Sequence, residues 1–484
     1  MPPAAAARAA VTEAFRLEET VSADRPLRVA VVGSGPAGFY ACAHLLAADP
    51  PVEVDMIERL PTPWGLVRLG VAPDHPNIKA VSKTFEKIAQ RPGFRFLGNV
   101  DIGRDLEHEE LVELYDAVIY SVGAQTDRRM GIPGEDLPGS YAATEFVAWY
   151  NGHPDFQELE FDLSCERAIV VGNGNVAIDV ARMLALTDEE LAPTDTTDEA
   201  IEAIAGSGLR EILMLGRRGP AQASFTTPEL KELGELAGAD VVVDPAQLEL
   251  EPASEPALAQ TLVARNLEVL REYSGRPPSG KPRRLELRFR ASPVAILGDA
   301  KVEAVEIVRN ELVADENGRV RAIPTDEREI ITCGIVFRSV GYQGVPIPRV
   351  PFDEERCTLR NEGGRVLDEH GERVQGVYCA GWIKRGPTGI IGTNKKDATE
   401  TVDNLLEDAA AGLLRRPEAV GAAEIDGLLA ERGVDVVTYV GWEAIDAVEK
   451  GRGEPLGRPR VKLLARDELL SAAGSAKSAG RLGP

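Results

Sequence analysis

The stretch "VVGNGNVAIDVAR", residues 170–182, decides the reading of this chain. An apolar run ends in Gly172-x-Gly174-x-x-Ala177, and a helical pattern begins inside that turn. Such a turn presents free helix N-terminal N–H groups and a partial positive charge to a pyrophosphate. The chain already carries one, Gly33-x-Gly35-x-x-Gly38 in "RVAVVGSGPAGFYA", residues 28–41. Two phosphate cradles far apart in one chain imply two bound nucleotides, each on its own sheet.

The flanking sequence supports that reading. "LRVAVVG" (27–33), a helix through "AGFYACAHLLAA" and "VEVDMIE" (52–58) make a β-α-β unit, and "YDAVIYSVG" (115–123) reads as a further buried strand. A second unit starts at "RAIVVG" (167–172) and resumes at "EILMLG" (211–216). Between them, the acidic, Ala-rich "TDEELAPTDTTDEAIEAIAGSG" predicts a helical, peripheral insertion. Alternation in "LELRFR", "VEAVEIV" and "GIVFRSVG" predicts antiparallel strands completing the middle domain. From "GVYCAG" (376–381) the pattern is strand, loop and long helix, expected to rejoin the first domain. The fold expected is α/β: two Rossmann-like dinucleotide-binding domains, the second inserted into the first. Residues 1–25 read as a mobile tail, 26–125 and 346–484 as the outer domain, and 126–345 as the inserted one.

The two turns lead to different strand ends. In the first, Gly33 permits the tight turn, Gly35 lets backbone approach a pyrophosphate, and Gly38 lets helix and strand pack closely. Glu58 closes the next strand 20 residues after Gly38, placed to accept hydrogen bonds from an unphosphorylated ribose, as in FAD or NAD. After the second turn the next strand ends in "LGRRGP". Arg217 and Arg218 stand where a carboxylate would be, which favours a ribose bearing a 2′-phosphate. The first cradle is therefore expected to hold FAD and the second NADP.

Composition narrows the class. A net charge of −24 argues against general binding to nucleic acid or anionic membranes, and no apolar run approaches the roughly 18 residues of a membrane span. Cys42, Cys165, Cys333, Cys357 and Cys379 include no C-x-x-C pair, so no metal site, iron–sulfur cluster or redox-active disulfide is expected. A reduced, cytoplasmic compartment is expected.

Five ordered blocks carry a family resemblance: "VVGSGPAGFY", "PWGLVRLGVAPDHP", "VGNGNVAIDVAR", "GRRGPAQASFTTPEL" and "AGWIKRGPTGIIGTNKKDA". From about residue 26 to about 460 the chain resembles the adrenodoxin-reductase type of ferredoxin–NADP reductase. The resemblance implies that Glu58 binds the adenosine ribose of FAD. It implies that Ala37, Leu66 and Ile102 contact this cofactor and that Trp382 lies beside the flavin. Gly389, Ile390 and Ile391 are expected to begin the last long helix, with N–H groups toward the flavin pyrimidine edge. On the NADP side, Asn173, Gly174, Asn175 and Val176 line the turn, Gly389 approaches the nucleotide, and Glu229 lies near the nicotinamide ribose. Thr226 or Thr227 can cap the helix carrying Glu229. His75, with Asp179 and Glu232 as acidic partners, is the candidate catalytic network.

The resemblance also implies the reaction: NADPH delivers hydride to FAD, and single electrons leave to a ferredoxin-type iron–sulfur protein. Such partners are usually acidic. The stretch Arg265 to Arg290 carries Arg265, Arg271, Arg276, Lys281, Arg283, Arg284, Arg288 and Arg290 against three glutamates, and is the expected docking face, with Lys231 nearby. Dithiol reductases share the two-cradle plan but need a cysteine pair that is absent here. An NADPH-dependent flavin monooxygenase and a non-catalytic FAD/NADP-binding redox sensor are the alternatives.

Overall fold

The computed structural model describes residues 25–417 and 421–479. The stretch expected to be an N-terminal tail, apart from Arg25, lies outside the described residues. The chain forms two compact units.

The first unit comprises residues 25–64, Lys83–Gly123 and Gly344–Val440. Its sheet runs Arg373–Cys379, Ala117–Tyr120, Leu27–Val32, Val52–Glu58 and Phe94–Gly98, all parallel. Two short antiparallel strands, Arg365–Leu367 and Asn361–Glu362, extend one edge. Every residue of "LRVAVV" and "AVIY" is buried, as expected of inner strands covered on both faces.

The second unit comprises Gly65–Ser82, Ala124–Gln343 and residues 441–479. Its sheet is parallel throughout, in the order Ser140–Ala142, Ile335–Arg338, Arg167–Val171, Glu211–Leu215, Arg283–Arg288, Ala239–Val242. Helices Ala143–Tyr150 and Asn175–Ala185 cover one face, burying Phe146, Tyr150, Ile178 and Met183. An antiparallel sheet of Ala291–Leu297, Ala304–Ala314 and Val320–Thr332 packs on the other through Ile296, Val305 and Ile307.

Three features differ from the expectations. "LELRFR" and "GIVFRSVG" supply parallel strands of the main sheet, and "VEAVEIV" alone of the three runs joins the antiparallel one. Alternation reports burial of one face, not the direction of the neighbouring strand. The acidic insertion is helical at Asp188–Leu191 and Asp198–Ala205, but it is not wholly peripheral. Between the helices Thr194, Asp195, Thr196 and Thr197 are buried, because Asp195 takes ion pairs from Lys79 and Lys462. Finally, the segments Gly65–Ser82 and 441–479, which sequence alone assigns to the outer domain, pack in the second unit. No helix among the described residues is long and apolar enough to cross a membrane.

Candidate functional site

In the first unit the strand Leu27–Val32 ends at Gly33, whose φ of +100° suits glycine alone. A Cβ at Gly38 would collide with the Gly33 carbonyl, so that glycine is required for helix and strand to pack. Gly35 has no atom within 4 Å of where its Cβ would be. The turn is thus closed on its protein side and open where a pyrophosphate would sit. Glu58 is fastened to it: Oε2 accepts from Ser34 N–H at 2.9 Å and Ser34 Oγ at 2.6 Å, and Oε1 accepts from Leu60 N–H at 3.0 Å. These residues fit an FAD adenosine half.

Trp382 belongs to the same unit. Gly381 precedes it with a φ of +79°, and a Cβ there would meet Ala37 Cβ at 2.6 Å. This close approach seats the Trp382 loop on the first turn of the helix Pro36–Leu45. Gly381 N–H donates to Asp397 Oδ2 at 2.5 Å, which locks the loop to the helix Thr393–Ala410. Gly389, Ile390 and Ile391 do not begin that helix. They form the turn before its N-cap Gly392, and the φ of +81° at Gly389 excludes a helical conformation there. Nor is it the last helix, since three more follow from Ala422. Ile390 is 65% exposed, an apolar side chain without protein cover. Ile102 is half-buried and bridges to Leu106, and Leu66 opens the helix Leu66–Leu69 in the second unit.

The second glycine turn repeats the design. Gly172 has a φ of +146°, and a Cβ there would strike the Ser339 carbonyl. Gly174 is open except for Ser224 Oγ at 3.4 Å, and Ala177 is fully buried. The loop after Arg218 is stitched to this turn: Ser224 N–H donates to Asn173 O at 3.0 Å, and Thr226 N–H to Asn175 Oδ1 at 2.8 Å. Val176 packs against the core. Thr226 is the N-cap residue of Thr227–Glu232, though its side chain makes no capping bond. Asn310 Nδ2 holds the Arg217 carbonyl at 2.7 Å. Arg217 is exposed and Arg218 half-buried, and neither pairs with a carboxylate among the described residues. Burial and the Arg217 charge hold the Arg218 guanidinium below its usual range. Two uncompensated guanidiniums at a strand end form an anion site, which fits a 2′-phosphate.

The three candidate catalytic residues come together in the second unit. His75, 7% exposed, places Nε2 2.8 Å from Glu232 Oε2. Burial disfavours its charged form. The Glu232 hydrogen bond and the charges of Asp179, Glu232 and Glu229 outweigh that and raise its pKa. The His75 hydrogen bond in turn lowers Glu232, with Arg182 assisting. Asp179 is pushed up to about 7, first by burial and then by Glu229 and Glu232. Glu229 Oε2 is buried without a hydrogen-bond partner, as is Asp74 Oδ1. An unpaired Glu229 oxygen fits an acceptor waiting for a ribose hydroxyl or carboxamide N–H.

Residues 27–214 match the family model described as pyridine nucleotide-disulphide oxidoreductase. NADPH-ferredoxin reductase FprA of Mycobacterium leprae is 53% identical over 450 residues, covering 91% of this chain and 97% of that protein. The mitochondrial NADPH:adrenodoxin oxidoreductase of Salvelinus fontinalis is 42% identical over 458 residues, covering 92% and 91%. The structure of Mycobacterium tuberculosis FprA in complex with NADPH superposes with a TM-score of 0.88 at 50% identity, covering 93% of this chain and all of that one. The chain belongs to the ferredoxin–NADP reductases of the adrenodoxin-reductase type.

In this reductase the basic stretch does not form one face. Arg283 and Arg290 are each 9% exposed and spend their donors inside the protein, the first on the carbonyls of Leu184, Leu186 and Ile204 and on Ser207 Oγ, the second on the carbonyls of Ala246 and Glu249 and on the Glu251 carboxylate. Lys281 Nζ donates to the Leu236 carbonyl, Arg284 and Arg288 pair with Glu286, and Arg276 pairs with Glu272. Arg265 and Arg271, on the helix Thr261–Gly275, are exposed and make no ion pair among the described residues. A charge surplus in sequence counts buried arginines that never reach the surface. Sequence reasoning also missed Asp74 and Arg182, which join the His75 cluster. Arg182 stands inside the opening motif, and its only local signal was a charge at a helical position otherwise apolar.

Proposed function

We propose that this chain oxidises NADPH and passes the electrons, through FAD, singly to a ferredoxin-type iron–sulfur protein. The observation that carries the reading is the contrast between the two turns. Glu58 is anchored to the first as a hydroxyl acceptor, whereas Arg217 and Arg218 stand uncompensated beside the second. One cradle suits a plain ribose and the other a phosphorylated one, and the relatives' names speak of NADPH.

The cofactors, when bound, supply hydride and one-electron chemistry that side chains cannot. The protein binds and orients. Gly35 and Gly174 leave room for pyrophosphates, Glu58 holds the FAD ribose, and Arg217 with Arg218 grips the NADP 2′-phosphate. Glu229 takes the nicotinamide ribose, while Trp382, Ile390 and the turn at Gly389 line the flavin. His75, whose protonated form the Glu232 hydrogen bond favours, sets an imidazole within the cluster. Ferredoxin docks at a reduced basic face centred on Arg265 and Arg271. A cytoplasmic location completes the reading.

Anaerobic titration of the purified yellow protein with NADPH and NADH, followed by candidate ferredoxins, tests the reading. NADPH should bleach the flavin and reduce ferredoxin, and NADH should do so poorly. A colourless protein that takes up no flavin, or equal use of both nucleotides, overturns it. Bound flavin without turnover would instead indicate a sensor, and oxygen-coupled product formation a monooxygenase.

A further inference from the structure

Asp74, Asp179 and Glu232 lie on three different elements, and one side chain reaches all of them. Arg182 is 3% exposed, on the helix Asn175–Ala185 that the second glycine turn opens. Its Nη1 pairs with Asp74, its Nη2 lies 2.9 Å from Asp179 Oδ1, and its Nε lies 3.8 Å from Glu232 Oε2. Asp74 adjoins His75, and Glu232 is the partner of His75. The guanidinium therefore stands at both ends of one contact: it pairs with the side chain of the residue before His75, and its charge faces the carboxylate that receives the imidazole.

We propose that Arg182 is a positioning residue for the reaction, clamping Asp74, Asp179 and Glu232 so that the His75–Glu232 pair keeps its alignment beside the NADP-binding turn. This rests on the reductase reading and adds to it a residue that makes no contact with either nucleotide in that reading. A planar guanidinium holds Asp74 and Asp179 on its two Nη groups and turns its Nε, which makes no hydrogen bond, toward Glu232, an arrangement an ammonium on a flexible stem cannot copy.

The charges facing this centre come from every element packed on it. Asp74 and His75 lie on the segment Gly65–Ser82, Asp179 on the same helix as Arg182, and Glu229 and Glu232 on Thr227–Glu232. Glu190 acts on Arg182 from Asp188–Leu191, and Tyr150 and Tyr342 both sense Asp179. Asp74, Asp179, Glu229 and Glu232 thus surround one guanidinium and one imidazole. Removing the guanidinium takes away a charge that holds Glu232 down, so Glu232 retains its proton to higher pH and then releases His75.

The test uses the flavin-loaded full chain with NADPH and ferricyanide. Arg182→Gln should lower kcat about tenfold, as expected of a displaced positioning group, and should move the pH profile of kcat to higher pH. KM for NADPH should change less than kcat, because Arg217 and Arg218 are untouched. Arg182→Lys restores the charge but not the fork, so its pH profile should return toward the parent's while kcat stays low. A parental kcat and pH profile in Arg182→Gln, or a loss confined to KM, overturns the proposal. If that variant does not fold, Asp74→Asn decides: a lowered kcat supports the clamp, and parental kinetics refute it. Failure of the reductase reading would differ, since the parent itself would then not reduce ferricyanide with NADPH.

Discussion

Glu449 receives both arms of Arg68 across 381 residues of sequence, with Oε2 2.8 Å from Nη1 and Oε1 2.5 Å from Nη2. Neither side chain reaches solvent: Glu449 is 0% exposed and Arg68 4%. Arg460 adds a contact to Glu449 at 3.0 Å, and Lys462 joins Lys79 on Asp195 nearby in the chain. Buried charges pack residues 441–479 onto the segment that carries His75.

Breaking that pair from one side leaves an uncompensated buried cation. Glu449→Ala should cost about 3–5 kcal/mol of unfolding free energy, read as a fall in the urea midpoint. Replacing both partners by apolar residues, Arg68→Met with Glu449→Leu, should cost much less. Equal losses in the single and double variants would contradict this account.

Asp179 makes stability depend on pH in a direction opposite to that of an ordinary ion-paired carboxylate. Burial raises it to about 7 in the folded chain, whereas an unfolded aspartate titrates near 3.9. From about pH 4 to pH 7 the folded state keeps a proton that the unfolded state has released. Its contribution is therefore present at low pH and is lost as pH rises through 7, by at most about 1.4 kcal/mol per unit. Asp179→Asn should flatten this slope, so the variant gains on the parent between pH 5 and pH 7.5. Parallel urea-midpoint curves would refute the assignment.

The second and third glycines of the first turn should fail differently. Gly38→Ala puts a Cβ into the Gly33 carbonyl, which is rigid backbone, so the folded yield and thermal midpoint should fall. Gly35→Ala meets no protein atom, so the chain should fold with a normal circular dichroism spectrum. Its defect should be weakened retention of FAD, measured as flavin-to-protein ratio after dialysis.

Arg217→Ala and Arg218→Ala should each raise KM for NADPH about 10- to 100-fold, the loss of one or two charge-assisted hydrogen bonds to phosphate. KM for NADH should stay within about threefold of the parent's, because that nucleotide lacks the phosphate. An equal rise for both nucleotides would remove these residues from the 2′-phosphate site.

Charge reversal at Arg265 and Arg271 should raise KM for ferredoxin while leaving NADPH oxidation by ferricyanide unchanged, since a small oxidant needs no docking face. Equal loss in both assays would refute docking there. Reversal at Arg283 should instead destabilise the protein, because that guanidinium is buried against backbone carbonyls.

The glycine turns, the strands leading into them, and Glu58, Arg217 and Arg218 were legible from sequence. Each lies within a short contiguous run whose backbone conformation and strand ends follow from local residue type. Strand direction between residues 283 and 338 was not legible, because alternating burial is the same whichever way the partner runs. The family resemblance implies that Gly389–Ile391 begin a helix, and the backbone angle at Gly389 shows a turn there instead.

Local sequence alone determined that this chain builds two glycine turns between strand and helix, one followed by Glu58 and the other by Arg217 and Arg218, because a glycine turn and its helix N-terminus need no distant partner. Tertiary structure alone decided which charges matter around them. Arg283 and Arg290 were drawn inward to carbonyls, and Arg182, Asp74, Asp179 and Glu232 were gathered at His75. Those pairings join elements far apart in the chain, and desolvation on packing, which no local pattern records, sets their ionisation.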